Sequence, residues 1–239
     1  MEGNNVLLQV KDIHTFLGKS HVLQAVSLEI ERRSITALLG RNGVGKSTTL
    51  KSIIGITPPK HGSILFKNQE MLGERPYTIC RRGIGYVPEE RRIFPNLTVR
   101  ENLLIGMQPR QKVEKPWTID RIYSHFPHLK ARDRQKGGHL SGGEQQMLTM
   151  ARTLMGNPEV LLVDEPTEGL APMVIDLVVQ MLRDINHRGC SILIVEHALD
   201  IALSLASRAY VMSKGTMAFQ GTSEELRKND EVRQKYLEV

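Results

Sequence analysis

The chain has little of what marks membrane-spanning, disulfide-linked or disordered proteins. Its 239 residues include two cysteines, Cys80 and Cys190, which lie far apart and have no C-x-x-C partner. They indicate reduced thiols of a cytosolic protein. No uninterrupted apolar stretch reaches the roughly 18 residues that would predict a membrane span. We also expect no signal peptide, low-complexity tract or internal repeat.

The charge balance is basic, but the sequence has no basic run. The formal net charge is +6, which is compatible with nucleic acid, an anionic membrane face or phosphate ligands. Basic residues occur only in pairs such as Arg81-Arg82 and Arg91-Arg92, so we expect no dedicated nucleic-acid arm. With 40% apolar residues the chain can bury a proper core, as one large domain or two small ones.

Residues 40–48 read GRNGVGKST and match the phosphate-loop pattern G-x-x-x-x-G-K-[ST]. An aliphatic, β-branched run at 34–39 precedes them and helically spaced apolar residues follow, which predicts a strand-to-helix corner. Backbone N–H groups of such a loop and the helix N-terminus attract anions. We expect Lys46 to reach the β- and γ-phosphates and the hydroxyl of Ser47 to bind Mg²⁺. The candidate nucleotide-binding residues of this stretch are Gly40, Arg41, Asn42, Gly43, Val44, Gly45, Lys46, Ser47 and Thr48.

A second nucleotide signal is VLLVDEP at residues 160–166. Its continuous apolar run predicts a strand that is buried on both faces. Asp164, at the end of this strand, is predicted to hold Mg²⁺, usually through a water. Glu165 follows it and is placed to act as the general base on an attacking water. Two acidic residues at a strand end are common alone, so this interpretation depends on the phosphate loop.

The stretch LSGGEQQ, residues 140–146, separates the possible families. Ser141 and Glu144 have the spacing of a capping box, which predicts a helix that starts here. Glycine costs a helix roughly 1 kcal/mol relative to alanine, so Gly142 and Gly143 indicate a close backbone approach, with a phosphate as the expected object. One chain cannot readily place two helix N-termini on one γ-phosphate, which predicts a second subunit.

The order of elements predicts an α/β fold. Strands alternate with helices in residues 1–88 and 158–239, which indicates a nucleotide-binding core with a mainly parallel sheet. Residues 89–157 have a helical character, which predicts an inserted helical subdomain that carries LSGGEQQ. A helix is expected to begin at Pro172. Its core-facing stripe is predicted to consist of Val174, Leu177, Val178, Met181, Leu182 and Ile185.

Together, GRNGVGKS, LSGGEQQ and VLLVDEP resemble the ATP-binding subunits of ABC transporters, whose signature sequence is LSGGEQQ-like. The likeness covers nearly the whole chain, from about Val6 to Leu237. VPEERRIFPNLTVREN and EGLAP resemble the short ATPase subunit of branched-chain amino acid importers, and the urea and amide importers look much the same. The resemblance implies a P-loop NTPase core with an N-terminal antiparallel β portion, and ATP and Mg²⁺ as ligands.

The resemblance also implies an active site shared by two ATPase subunits that stack head to tail. Each ATP would lie between the phosphate loop of one subunit and the LSGGE helix of the other. Ser141 and Gly143, with Gly142 and Glu144 beside them, would contact the partner's γ-phosphate. His197 follows the SILIVE strand and matches the switch histidine, so the implied catalytic residues are Glu165 and His197.

Two positions in the nucleotide site depart from the family's pattern. Leu17 stands where an aromatic residue commonly stacks on adenine, and Phe16 precedes it. Either Phe16 stacks on adenine after a small shift, or the adenine rests on an aliphatic surface and Phe16 belongs to the core. Glu89 stands where a glutamine usually touches Mg²⁺ and the attacking water. A carboxylate there is still a candidate Mg²⁺ ligand, although it adds negative charge beside the phosphates.

For the whole protein the resemblance implies an ATPase that powers import from the cytoplasmic face of the cell membrane, as a peripheral subunit. The expected partners are transmembrane permease subunits, indirectly a solute-binding protein, and a second ATPase subunit. That subunit is either a second copy or a similar, longer chain. IFPNL, residues 93–97, either lines a groove for a short permease helix or packs inside the helical subdomain.

Other classes of protein match the sequence less well. A soluble ABC ATPase that acts on ribosomes or DNA usually has two nucleotide cores or long insertions. A P-loop kinase or GTPase has no use for LSGGEQQ, and the N-K-x-D segment that reads guanine is absent from the sequence. The ATPase of a lipopolysaccharide exporter would share the overall plan, and only VPEERRIFPNL and EGLAP favour import over it.

Overall fold

Two β-sheets and ten α-helices form the fold in the computed structural model, which describes residues 5–108 and 115–237. The strands are β1 (Val6–Leu17), β2 (Ser20–Glu31), β3 (Ile35–Leu39), β4 (His61–Phe66), β5 (Gln69–Glu70), β6 (Ile84–Val87), β7 (Val160–Asp164), β8 (Ser191–Val195), β9 (Arg208–Ser213) and β10 (Thr216–Thr222). The helices are α1 (Lys46–Ile53), α2 (Pro76–Arg82), α3 (Val99–Gly106), α4 (Ile119–His125), α5 (Pro127–Ala131), α6 (Gly142–Leu154), α7 (Pro172–His187), α8 (Leu199–Leu205), α9 (Ser223–Lys228) and α10 (Asp230–Tyr236), with a 3₁₀ turn at Gly137–His139.

The larger sheet has the strand order β10-β9-β3-β8-β7-β6. Its five strands from β9 to β6 pair in parallel, and β10 adds an antiparallel edge. Every residue of β3, β7 and β8 is buried, because helices and the other sheet cover both faces. The α/β fold with a mainly parallel sheet is therefore confirmed. The loops that follow β3, β8 and β7 meet at one edge of this sheet.

The smaller sheet is antiparallel, with the order β2-β1-β4-β5, and it forms the N-terminal β portion implied by the family resemblance. Its strands β1 and β2 have twelve residues each. They form a hairpin that turns at Gly18, whose φ is 59°. This hairpin was not predicted, and it decides which of its residues face the nucleotide cleft described below.

The helices α3 to α6 lie in the chain between β6 and β7. Ser141 forms the predicted capping box of α6, and Thr98 forms another at the start of α3. One hydrophobic cluster runs from these helices, through residues such as Leu103 and Leu148, to Leu161 and Val163 on one face of the parallel sheet. The helical segment therefore shares a core with the sheet. Residues 109–114 of the predicted helical subdomain lie outside the described part of the chain.

The stripe predicted for α7 is partly wrong. Leu177 is 47% exposed, whereas Val178, Leu182 and Ile185 are fully buried. A helix that covers one face of a sheet buries a stripe only about 100° wide, and Leu177 lies outside it. The sequence also gave no sign of α2, which begins at Pro76. Among the described residues, no helix combines the length and the apolar character that a membrane crossing requires.

Candidate active site

The phosphate loop connects the C-terminal end of β3 to the start of α1. Its glycines Gly40, Gly43 and Gly45 have φ values of 146°, 77° and 111°. A Cβ atom on Gly40 would lie 2.5 Å from the carbonyl oxygen of Met212, and one on Gly45 would lie 2.8 Å from the side chain of Leu23. Gly40 and Gly45 are therefore required by close packing as well as by backbone conformation.

Lys46 is held inside the phosphate loop. Its side chain is 4% exposed and its ammonium donates to the carbonyl oxygens of Gly40, at 3.0 Å, and Arg41, at 3.1 Å. The same ammonium lies 3.8 Å from Oε1 of Glu165. Burial lowers the pKa of Lys46, and the charge of Glu165 opposes that shift. These contacts hold a positive charge at the centre of the predicted phosphate site.

Asp164 ends β7 and lies beside the start of α1. Its Oδ1 accepts the hydroxyl of Ser47 at 2.9 Å, and its Oδ2 accepts the hydroxyl of Tyr86 at 3.2 Å. Burial raises the pKa of Asp164, and these two hydrogen bonds oppose the rise. A hydroxyl and a carboxylate side by side are oxygen donors that fit Mg²⁺. Sequence reasoning missed Tyr86, which lies in β6.

Glu165 has a left-handed backbone with φ of 46°, and its N–H donates to the carbonyl oxygen of Val195 at 2.9 Å. Its Oε1 lies 2.7 Å from Nε2 of His197, so the structure brings the two candidate catalytic residues together. Burial first, and then the carboxyl of Glu168, raise the pKa of Glu165 to about 8. Burial and the charge of Lys46 lower the pKa of His197. A protonated Glu165 beside a neutral imidazole satisfies both shifts.

Glu89 joins this group from the loop after β6. Carboxylate oxygens of Glu89, Glu165 and Glu168 all lie within 4.8 Å of one another. Burial, followed by the charges of Glu168 and Asp164, raises the pKa of Glu89. The structure therefore places Glu89 beside the base, in the same cleft as Ser47, and its role as a Mg²⁺ ligand stays a prediction. Sequence reasoning missed Glu168, whose only signal was its position three residues after Glu165.

A cleft of about 430 Å³ runs over the phosphate loop. Phe16, which the sequence offered as a residue that stacks on adenine, does not belong to the described lining of this cleft. Its ring stacks on His21 at 4.2 Å and lies 4.7 Å from the ammonium of Lys60. Leu17, which is 49% exposed, lines the cleft instead. The geometry therefore favours the alternative in which adenine packs against an aliphatic side chain. The described residues that line the cleft are Leu17, Val22, Asn42, Gly43, Gly45, Lys46, Ser47, Thr48, Glu89, Glu165 and Glu168.

The signature segment, residues 141–144, starts α6 away from this cleft. Ser141 Oγ accepts the N–H of Glu144 at 3.3 Å, and Glu144 Oε2 accepts the N–H of Ser141 at 2.8 Å. No residue of this segment belongs to the described lining of the cleft. Within one chain, therefore, the signature segment and the phosphate loop do not form a common site.

The two glycines of the signature segment approach side chains of their own chain. A Cβ atom on Gly143 would lie 2.8 Å from the side chain of Val174, and one on Gly142 would overlap the guanidinium of Arg91. The contact with Val174 gives Gly143 a packing reason within its own chain, whereas the flexible end of Arg91 can move away from Gly142. The expected approach of a phosphate to these glycines stays a prediction. Arg91 also donates to the carbonyl oxygen of Glu168 at 3.1 Å. It links the loops after β6 and β7 to the start of α6, which no local pattern indicated.

The strands β3, β7 and β8 are followed by the phosphate loop, the acidic pair and the histidine respectively. A phosphate loop beside a strand that ends in acidic residues, at one edge of a parallel sheet, is the arrangement of P-loop nucleoside triphosphatases. The fold and this site define that class of protein.

Comparisons with known proteins identify the family within this class. The ABC transporter family profile matches residues 23–168. The chain is 39% identical to the high-affinity branched-chain amino acid transport ATP-binding protein BraG of Pseudomonas aeruginosa, over 97% of this chain and 99% of that protein. It is 40% identical to the probable branched-chain amino acid transport ATP-binding protein LivF of Archaeoglobus fulgidus, over 86% and 88% of the two chains.

Two further likenesses bear on the family. The chain is 34% identical to the lipopolysaccharide export system ATP-binding protein LptB of Escherichia coli, over 90% of each chain. The crystal structure of a nucleotide-free ATP-binding cassette from an ABC transporter superposes with a TM-score of 0.81 at 29% identity and covers 94% of both chains. The chain therefore belongs to the ABC transporter family. Nucleotide binding follows from this membership.

Proposed function

We propose that this chain is the ATP-hydrolysing subunit that powers an ABC importer of branched-chain amino acids. The observation that carries the proposal is the contact of 2.7 Å between Glu165 and His197, with Lys46 at 3.8 Å, at the mouth of a phosphate loop. The likeness to BraG along almost the full length of both chains supports the class of solute.

The residues of the cleft divide the chemistry among them. The N–H groups of the loop and the ammonium of Lys46 bind the β- and γ-phosphates, and Leu17 supports the base. Ser47 and Asp164 would hold Mg²⁺, which neutralises phosphate charge when it is bound. Glu165 in its ionised form accepts the proton of the attacking water, and His197 keeps the carboxylate in place.

A second subunit completes the site. In the isolated chain the signature segment 141–144 lies away from the cleft, so it is free to face a nucleotide held by another subunit. Ser141 and Gly143 would contact the γ-phosphate of that nucleotide. We favour a similar, longer ATPase subunit as the partner in the cell. The alternative is a second copy of this chain, which would be observed as a homodimer of the purified protein.

The permease would dock on the cytoplasmic side, in a groove of about 360 Å³ between the sheet and the helical segment. Phe94, from the stretch IFPNL, lines this groove and is 45% exposed. Ile56 and Ile105, which are 51% and 53% exposed, line it as well. An exposed apolar groove of this size suits a short amphipathic helix.

Replacement of the base tests the proposed reaction. Glu165→Gln keeps the size of the side chain but removes the proton acceptor, so ATP hydrolysis should fall by about 10²–10⁴-fold. ATP should still bind and hold two ATPase subunits together, which size-exclusion chromatography detects as an ATP-dependent dimer. Full turnover by this variant would contradict the assignment. Co-purification of an amino-acid-binding protein with the permease separates the importer from a lipopolysaccharide exporter, the function of the relative LptB.

A further inference from the structure

A buried carboxylate lies between two loops of the active site. Glu196 follows β8 directly before His197, and it is 3% exposed. Its Oε2 accepts the hydroxyl of Thr167 at 2.7 Å. Its Oε1 accepts the N–H of His197 at 2.8 Å and the N–H of Ala198 at 3.2 Å. One side chain therefore touches the loop of the base and the loop of the histidine.

The environment of Glu196 makes these bonds strong restraints. A buried carboxylate is costly unless donors or cations compensate it. Among the described residues no cation lies within ion-pair distance of Glu196, so three neutral donors make its direct contacts, and the charge of Lys46 acts on it from farther away. Hydrogen bonds to an ionised acceptor are about twice as strong as neutral ones. The donors are consequently held in fixed positions around the carboxylate.

Besides the contact of Glu165 with His197, two hydrogen bonds link the two loops. The N–H of Glu165 donates to the carbonyl oxygen of Val195 at 2.9 Å, and the hydroxyl of Thr167 donates to Glu196. One hydrogen bond alone would let one loop rotate about the other. Two hydrogen bonds, made by residues 165 and 167, fix both the distance between the two loops and their relative orientation.

We propose that Glu196, through Thr167, is a positioning residue for ATP hydrolysis that holds His197 in contact with Glu165. This inference rests on the function proposed above. Thr167, the residue to be replaced, does not belong to the described lining of the cleft, whereas Glu196 lines a neighbouring pocket with His197 and Gly40. Loss of their bond should therefore lower the rate of hydrolysis and leave ATP binding unchanged.

The test compares three replacements of Thr167 in the assembled transporter. Thr167→Val and Thr167→Ala both remove the hydroxyl, and kcat for ATP should fall about 10- to 100-fold, because a misplacement of about 1 Å at a catalytic group costs up to ~10²-fold. KM for ATP should change less than about twofold, as expected when only transition-state interactions are lost. Thr167→Ser keeps the hydroxyl and should restore most of kcat.

A second buried hydroxyl provides the control for folding stability. Ser223 is 7% exposed and donates to the carbonyl oxygen of Ala206 at 2.6 Å, away from the cleft. Ser223→Ala also removes a buried hydroxyl and its hydrogen bond, so it should lower the thermal unfolding midpoint in the same direction as Thr167→Val, without a change in kcat. Loss of stability alone would therefore be visible in both variants, whereas the drop in kcat should follow Thr167 only.

The outcomes separate this inference from the proposed function. If Glu165→Gln abolishes hydrolysis while Thr167→Val and Thr167→Ala keep kcat within about twofold of the wild type, Glu196 does not position the histidine and the proposed function stands. A rise in KM with constant kcat would also overturn the inference, because it would place Thr167 in nucleotide binding. Normal hydrolysis by Glu165→Gln would instead refute the proposed function.

Discussion

At the scale of single residues, the protonation of Glu165 sets a pH dependence of folding. Its pKa in the folded chain is raised from the ordinary 4.5 to about 8, and in the unfolded chain it returns to the ordinary value. Between about pH 5 and 8 the folded protein therefore binds more protons at this group than the unfolded chain. The stabilisation from this group is present at low pH and is lost as the pH rises toward 8.

Glu165→Gln cannot ionise, so it should isolate this effect. The free energy of unfolding of the wild type, minus that of Glu165→Gln, should decrease from pH 5 to pH 8, as measured by urea unfolding without nucleotide. Subtraction is needed because the lowered pKa values of Lys46 and His197 add stability as the pH rises, in the opposite sense to Glu165. The difference then reports Glu165 together with its contact to Lys46. Glu224→Gln, at an exposed position, should run parallel to the wild type. A constant difference across this range would contradict a raised pKa at Glu165.

At the scale of helices, the start of α6 is limited by its packing against α7. Alanine normally stabilises a helix by about 1 kcal/mol relative to glycine. At Gly143, however, the new Cβ atom would meet the side chain of Val174 at 2.8 Å. We expect Gly143→Ala to lower the free energy of unfolding by about 1–3 kcal/mol, the usual cost of overpacking. Chemical denaturation of the purified chain measures this change.

The double variant Gly143→Ala, Val174→Ala supplies the control. Removal of two methyl groups from Val174 makes room for the new Cβ atom, so the double variant should be more stable than additivity predicts. Gly142→Ala should cost less than Gly143→Ala, because its neighbour is the flexible end of Arg91. Equal stability of Gly143→Ala and the wild type would show that packing does not require this glycine.

The same scale shows what the sequence can predict. The capping box predicted at Ser141 is confirmed, because its two partners lie only three residues apart in the chain. The predictions of β7 and β8 are confirmed, because a strand that is buried on both faces appears in the sequence as a continuous apolar run. Amphipathic spacing in α7 predicted a buried stripe, but the spacing alone could not place Leu177 relative to its edge.

The residues that sequence reasoning missed share a different property. Arg91 contacts Glu168 across 77 positions, and Thr167 contacts Glu196 across 29. Neither pair has a periodic or motif signal, because its partners meet only after the sheet has formed. Phe16 and Leu17 differ by one position in β1, so the hairpin alone decides which of them faces the cleft. The phosphate-loop and acidic motifs found the cleft, and the contacts between loops needed the fold.

At the scale of the whole molecule, the proposed site and the proposed permease groove lie at opposite ends of one connected segment. The loop after β6 contributes Glu89 to the cleft and Phe94 to the groove. Arg91 lies between them and touches the start of α6. Only five positions of chain separate Glu89 from Phe94. This continuity gives a physical route by which nucleotide state and permease conformation can influence each other.

Substitutions in the groove should separate docking from hydrolysis. Phe94→Ser and Ile105→Ser each remove an exposed apolar side chain from the groove wall without touching the cleft. Each should weaken binding of the permease by about tenfold, which corresponds to about 1.4 kcal/mol, and should reduce coupled transport in vesicles. ATP binding by the purified chain should be unchanged.

Leu104→Ser is the matched control for the groove, because Leu104 is 43% exposed on α3 but is absent from the described lining of the groove. It should leave both permease recovery and transport close to those of the wild type. If Phe94→Ser and Ile105→Ser assemble and transport as well as Leu104→Ser, the groove does not receive the permease. The membrane contact must then lie on another face of the ATPase, and the loop after β6 would serve the nucleotide alone.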